Sequence, residues 1–197
     1  VFSREYSEII LGIIMLSKIV YGFVWLLSLL PLRVLYLFAD ICYVLLYYVV
    51  RYRRKVVMMN LRNSFPEKTE AELGKIAKGF YHHLCDFLVE SYRMWHMSAE
   101  EIKRRCVFNN NEVVQNYLNE GRSLIVVLGH YGNWEWMASY SLWMSDDVDF
   151  FTLYKPLHNS VFDKMMHQIR SRFGAIPVPK NDVLREIVNN RRKGRLF

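Results

Sequence analysis

The stretch L-I-V-V-L-G-H-Y-G-N-W-E-W, from Leu124 to Trp136, restricts the fold more than any other part of the chain. Leu124 to Leu128 is a short, continuous apolar run between Gly121 and Gly129. A strand buried on both faces reads this way. Gly129-His130-Tyr131-Gly132-Asn133 then breaks any helical or strand pattern. Asn133 is a good N-cap, and Trp134 to Met144 predicts a helix with Glu135 in its first turn, where the helix dipole favours a carboxylate. The segment therefore reads strand, tight turn, helix. On one unbroken helix, residues five apart point roughly 140° away from each other. Across a glycine-flanked turn, His130 and Glu135 can meet. A histidine at the carboxyl end of a buried strand, with a carboxylate a turn later, suits a general base and its orienting partner. Open α/β sheets place their ligand sites at that end of the strands.

The residues around this stretch repeat the alternation. Glu112 to Asn119 predicts a helix ended by Gly121, and Val148 to Tyr154 a strand rich in aromatic and β-branched residues. Asn159 to Phe173 predicts a helix with Val161, Phe162, Met165, Met166 and Ile169 inward, stopped by Gly174. Ala175 to Val178 is a further short strand. Asn181 to Arg191 is a further helix, basic at its end in Arg191, Arg192 and Lys193. This order predicts an α/β fold, with an open, mostly parallel sheet and crossover helices.

Upstream the chain changes character. Ile9 to Leu30 is almost wholly apolar, about the roughly 20 residues that span a bilayer. Pro31 breaks the helix, and Leu32 to Val50 is a second apolar run ending in the basic cluster Arg51-Tyr52-Arg53-Arg54-Lys55. Either a spanning hairpin or an in-plane pair sunk in one leaflet fits. Residues 1–55 are thus expected to be hydrophobic anchor helices, and 56–197 a second domain. Thr69 caps a long helix carrying Leu73, Ile76, Phe80, Leu84, Phe87, Leu88 and Tyr92 on one face. Ser98 to Glu101 reads as a capping box.

Apolar residues make up 52% and the formal charge is +7, a combination that favours an anionic membrane surface or a phosphate-bearing substrate over nucleic acid. Cys42, Cys85 and Cys106 are far apart and odd in number, so neither a disulfide framework nor a zinc site is indicated. No metal is expected. The start at Val1 and the stop at Phe197, in what reads as a new strand, suggest a fragment lacking the C-terminal part of its fold.

The block His130-Tyr131-Gly132-Asn133-Trp134-Glu135 resembles the H-x-G-N-W-E block of the bacterial lipid A biosynthesis acyltransferases. These are the lauroyl- and myristoyl-transferring members of the lysophospholipid and glycerol-phosphate acyltransferase superfamily. Supporting matches are Arg53-Arg54-Lys55, Asn60-Leu61, Phe65-Pro66-Glu67, Glu90 with Arg93, and Arg170 followed by Gly174. Tyr154-Lys155-Pro156 stands where the family shows Tyr-Arg-Pro. Lysine keeps the charge there and loses the bidentate fork.

The resemblance implies a glycerol-phosphate acyltransferase-like fold and transfer of a fatty acyl chain from acyl carrier protein, or from acyl-coenzyme A, to a hydroxyl of a lipid A precursor. It implies His130 and Glu135 as catalytic residues. Tyr131, Gly132, Asn133, Tyr154, Lys155, Pro156 and Arg170 would bind the acceptor. No cofactor is implied. The expected partners are acyl carrier protein, the glycolipid acceptor and membrane lipid, at the cytoplasmic face of a bacterial inner membrane, without nucleic acid. A lysophospholipid, aminolipid or other glycolipid acceptor is the alternative with the same chemistry. A non-catalytic membrane protein that binds anionic lipid is the alternative of another class.

Overall fold

A computed structural model describes residues 2–145, 147–190 and 195–197, with side chains described from Leu11 onward except that of Leu196. The basic end expected at Arg191 to Lys193 lies outside the described residues. Two apolar helices come first, α1 (Phe2–Leu27) and α2 (Leu32–Val44), and α2 runs on into a wider π turn, Leu45–Val50. Pro31 separates them with extended backbone, as its ring requires. The basic cluster ends the second helix instead of continuing it. Arg51 and Arg53 both take left-handed backbone, and α3 (Arg54–Ser64) starts afresh. It stops ahead of Pro66.

The central strut is α4 (Glu70–Arg93). Thr69 accepts from the Glu72 N–H while the Glu72 carboxylate accepts from the Thr69 N–H, so both ends of a capping box close. The buried face differs from the expected stripe. Leu73, Ala77, Tyr81, Cys85 and Val89 face inward, whereas Phe80 and Leu88 are exposed. The four-residue spacing with a small Ala77 lets the Tyr47 turn and α2 lie close along α4. Leu32, Leu35 and Ala39 of α2 share one core with Cys85, Val89, Met97 and Ile102. The apolar N-terminal helices and the rest of the chain are therefore built on common packing.

After a short 3-10 turn, Met94–His96, come α5 (Ala99–Arg105), capped by Ser98, and α6 (Asn111–Asn119). The C-terminal part is β1 (Asp149–Tyr154), α7 (Ser160–Arg170), β2 (Ile176–Pro179), α8 (Val183–Asn190) and β3 (Arg195–Leu196). Asn159 caps α7 by accepting from the N–H groups of Val161 and Phe162. Gly174, with φ near +95°, turns the chain into β2. The sheet is parallel, in the order β2-β1-β3. The molecule is thus helix-rich α/β with a small parallel sheet.

The expectation that the strand before His130 is buried on both faces is corrected. Among the described residues only Leu124 and Val126 find ladder partners there, through Leu124 N–H to Arg195 C=O, Phe197 N–H to Leu124 C=O and Val126 N–H to Phe197 C=O. Ile125 between them and Val127 and Leu128 beyond them are exposed, so the run is not a strand buried on both faces. Nor does it neighbour the strand that ends at Tyr154, because β3 lies between them. An apolar run becomes a buried strand only where backbone partners meet it on both sides.

Candidate active site

The turn after Leu128 carries His130, whose imidazole is exposed and rests on the Trp134 indole, ring centroids 4.7 Å apart. Trp134 in turn stacks on Phe87 of α4 at 4.2 Å. Gly132 turns the chain with φ near +62°, a conformation that costs glycine little. Helical structure then begins at Trp134 but as a 3-10 helix, Trp134–Trp143, rather than an α-helix. Asn133 does not cap it. Its Nδ2 donates instead to Glu90 Oε2 at 2.8 Å and towards the Phe87 carbonyl at 3.4 Å. The expected cap is thus drawn away by a carboxylate on α4, a stronger acceptor interaction than a neutral cap bond.

Glu135 lies in the first turn, and both of its oxygens accept from Arg170, from Nε at 2.8 Å and Nη2 at 2.7 Å. This is the fork-to-fork arrangement that arginine and a carboxylate favour, and both side chains are mostly buried, at 18% and 11% exposure. His130 is not hydrogen-bonded to Glu135, and Arg170 is engaged rather than open. The guanidinium also lies over the Tyr154 ring, 5.4 Å from its centroid. Burial pushes the Tyr154 phenol above its ordinary pKa, and Asp163 adds to the shift. Burial likewise raises Tyr92, helped by the Glu135 carboxylate nearby.

His130, Trp134, Glu135, Tyr154, Lys155 and Arg170 line a groove of about 570 Å³ between the Leu124 segment and β1. Its walls are otherwise apolar, from Ile125 to Leu128 on one side and Phe150 to Leu153 on the other, with Met137 and Ala138 beneath. The carboxyl end of β1 brings Lys155, exposed, to the same groove as His130. The polar groups therefore gather at one end of an apolar trough, a common form of small-molecule site. Tyr131 is 95% exposed, and Pro156 is exposed in the loop after β1.

The arrangement also excludes a nucleophilic thiol. Cys42, Cys85 and Cys106 are free and lie outside the groove, and burial holds the Cys85 thiol up at about 11. The groove thus gathers an exposed imidazole, an ion pair and a lysine around an apolar trough.

A sequence model of the family described as bacterial lipid A biosynthesis acyltransferase matches residues 2–197, essentially the whole chain. The chain belongs to that family. No curated protein matches it. Membership indicates an acyltransferase of the lipid A type. The turn is supported by Trp134 within the motif and by residues of α4 behind it. Trp134 carries the imidazole, Phe87 carries Trp134, and Glu90 holds Asn133. Glu90 shows in the sequence only as a supporting match beside Arg93, and Phe87 only as part of a helical stripe, since both lie with Ser91 on a long helix some forty positions before the motif.

Proposed function

We propose that the protein transfers a saturated fatty acyl chain from an acyl carrier protein thioester to a hydroxyl of a lipid A precursor, with His130 as general base. The observation that carries this reading is the exposed His130 imidazole at the polar end of an apolar groove, beside Lys155 and the Glu135–Arg170 pair. The acceptor oxygen attacks the thioester carbonyl carbon as the imidazole takes its proton. The tetrahedral intermediate then expels the thiolate, which receives that proton from the imidazolium, and the ester is released. Backbone N–H groups at Gly132 to Trp134 and the Lys155 ammonium are the donors available to the oxyanion.

Glu135 acts here from within its ion pair. An ionised carboxylate has about four lone-pair sites, and Arg170 occupies two of them. The remainder can steady an imidazolium that turns towards it, while Arg170 keeps the carboxylate fixed. Lys155 has either of two roles, a donor to the oxyanion or the cation for a phosphate on the acceptor, with Tyr131, Gly132, Tyr154 and Pro156 as the further acceptor contacts. The reaction uses the acyl thioester as donor and needs no cofactor.

Membrane attachment accompanies this reading. Leu32–Val50 is, among the described residues, the helix long and apolar enough to cross a bilayer, and only 17% of its most apolar window is buried. The attachment is to the cytoplasmic face of an inner membrane, where the basic cluster at Arg51 to Lys55 meets anionic headgroups.

The test is transfer by the purified chain in mixed micelles, from a lauroyl or myristoyl acyl carrier protein to a lipid A precursor, followed by mass spectrometry. The acceptor should gain one acyl mass, and His130→Ala should cut the rate by about 10²–10⁴-fold with no change in melting temperature, since the ring is exposed. A variant as active as the parent sinks the mechanism. Acylation of a lysophospholipid in place of the lipid A precursor reassigns the acceptor and leaves the mechanism standing.

A further inference from the structure

The Glu90 carboxylate sits behind the motif turn, where the proposed base is held, and it has an unusual set of partners. Its Oε1 accepts from the Tyr36 hydroxyl of α2 at 2.7 Å, and its Oε2 from Asn133 Nδ2 at 2.8 Å. Among the described residues no lysine, arginine or histidine pairs with it. A half-buried carboxylate satisfied by neutral donors alone costs desolvation that an apolar residue or glutamine would avoid. What it provides in return is two charge-assisted bonds, each shorter and stronger than a neutral one. The Asn133 amide has one workable orientation here, because its nitrogen faces two acceptors, the carboxylate and the Phe87 carbonyl. The main chain at the same position contributes as well, since the Glu90 carbonyl accepts from the Trp136 indole at 3.3 Å.

We propose that Glu90 is a positioning residue for His130. Its carboxylate ties Asn133 of the motif turn to Tyr36 of the apolar helix α2, so that helix, strut and turn form one body beneath the imidazole. Three links connect the two ends. Tyr36 to Glu90 joins α2 to α4, Glu90 to Asn133 joins α4 to the turn, and Phe87 to Trp134 to His130 completes the support. Leu35 and Ala39, one on each side of Tyr36, are buried in the shared α2–α4 core, which keeps the hydroxyl in place. A bilayer that seats α2 thereby also sets the height of the base. The inference rests on the reading of His130 as the base, but its structural half can be measured without catalysis.

The experiment uses the whole chain, labelled with carbon-13 at its histidine rings and held in detergent micelles. The His130 signals are identified by their loss in His130→Ala. Their position reports the Trp134 ring current. In Glu90→Ala these signals should move towards those of free histidine while the other histidine signals stay. Under the transfer assay the same variant should lose about 10²-fold in kcat, the cost of a misplaced reacting group, with KM for both substrates unchanged. Glu90→Gln keeps an acceptor for Asn133 and should restore most of the rate, and Tyr36→Phe, which cuts the link to α2 alone, should fall between. Glu90→Ala combined with Asn133→Ala should lose no more than the worse single variant, because both break one link.

Unmoved His130 signals in Glu90→Ala, a loss confined to KM, or losses that multiply in the double variant would each overturn the proposal. If Glu90→Ala does not fold, Asn133→Ala, which cuts the link to the turn, and Tyr36→Phe carry the same comparison, and parent-like signals and kcat in Tyr36→Phe overturn the tie to α2. A parent chain that transfers no acyl group defeats the proposed function instead, and the ring-current arm still decides the role of Glu90.

Discussion

At the residue scale, the decisive contact is the one between Glu135 and Arg170. Both side chains are largely withdrawn from water, and each supplies the charge that the other needs. Removing one partner leaves the other charge buried and unpaired. Glu135→Gln is therefore expected to destabilise the chain by about 3 kcal/mol as well as slow transfer. Arg170→Lys should not behave as a mild change, because an ammonium cannot fill both carboxylate oxygens in parallel. Urea unfolding of the variants checks this, and parent-like midpoints in both would show that the fork adds nothing to the fold. The motif block thus contains residues of two kinds. His130 is open to a substrate, while Asn133, Trp134 and Glu135 are bound into the protein.

At the scale of elements, α1 is held by polar contacts rather than by deep burial. Asn159 donates to Ser17 at 2.8 Å and Tyr21 donates to Gln168 at 3.1 Å, which joins α1 to the N-cap and the last turn of α7. At its other end Ser28 lies 2.7 Å from His96 Nδ1, with the Trp25 ring edge-on to the imidazole and Arg93 donating to the Ser28 carbonyl. Burial first, and then Arg93 and Arg172, hold the His96 pKa below its ordinary value. The unfolded chain therefore takes up this proton at higher pH than the folded one. The His96 contribution to stability is complete above about 6.5 and is lost progressively as pH falls below it, levelling off once the folded ring also titrates. Unfolding midpoints measured on either side of that value should show the loss, and His96→Gln should reduce it. A slope unchanged by that substitution assigns the pH dependence to other groups.

At the scale of the whole molecule, one side is apolar to a degree that water does not favour. Leu11, Leu16, Ile19, Leu26, Leu37 and Ile41 are all more than half exposed on α1 and α2. A surface of this extent signals a membrane or a partner. The chain is expected to float with vesicles that contain anionic lipid, and to need detergent otherwise. Replacing Arg51, Arg53, Arg54 and Lys55 with glutamine should weaken binding to anionic vesicles and leave binding to neutral ones in place, because the apolar face is untouched. A detergent-free monomer that stays in solution beside such vesicles would remove the membrane from the account.

Much of this architecture was legible in the sequence because its signals act over short distances. Thr69 with Glu72, Ser98, Asn159, Pro31, Gly121 and Gly174 each settle a helix end within a turn of themselves, and the alternation after Glu112 announces a parallel sheet. The turn at Gly132 belongs to the same class. Tertiary structure decided what depends on a distant partner. Leu124 to Leu128 reads as a buried strand, yet its pairing extends only as far as Arg195 to Phe197 reach it. Phe80 fits the helical stripe but faces water, because Ala77 and Tyr81 offer α2 a closer fit. Asn133 has the chemistry of a cap and is taken by Glu90, and Arg170 has the chemistry of a phosphate grip and is taken by Glu135. A side chain's bonding capacity is written in its own residue, but which acceptor it meets is set by the packing of segments that the chain brings together only on folding.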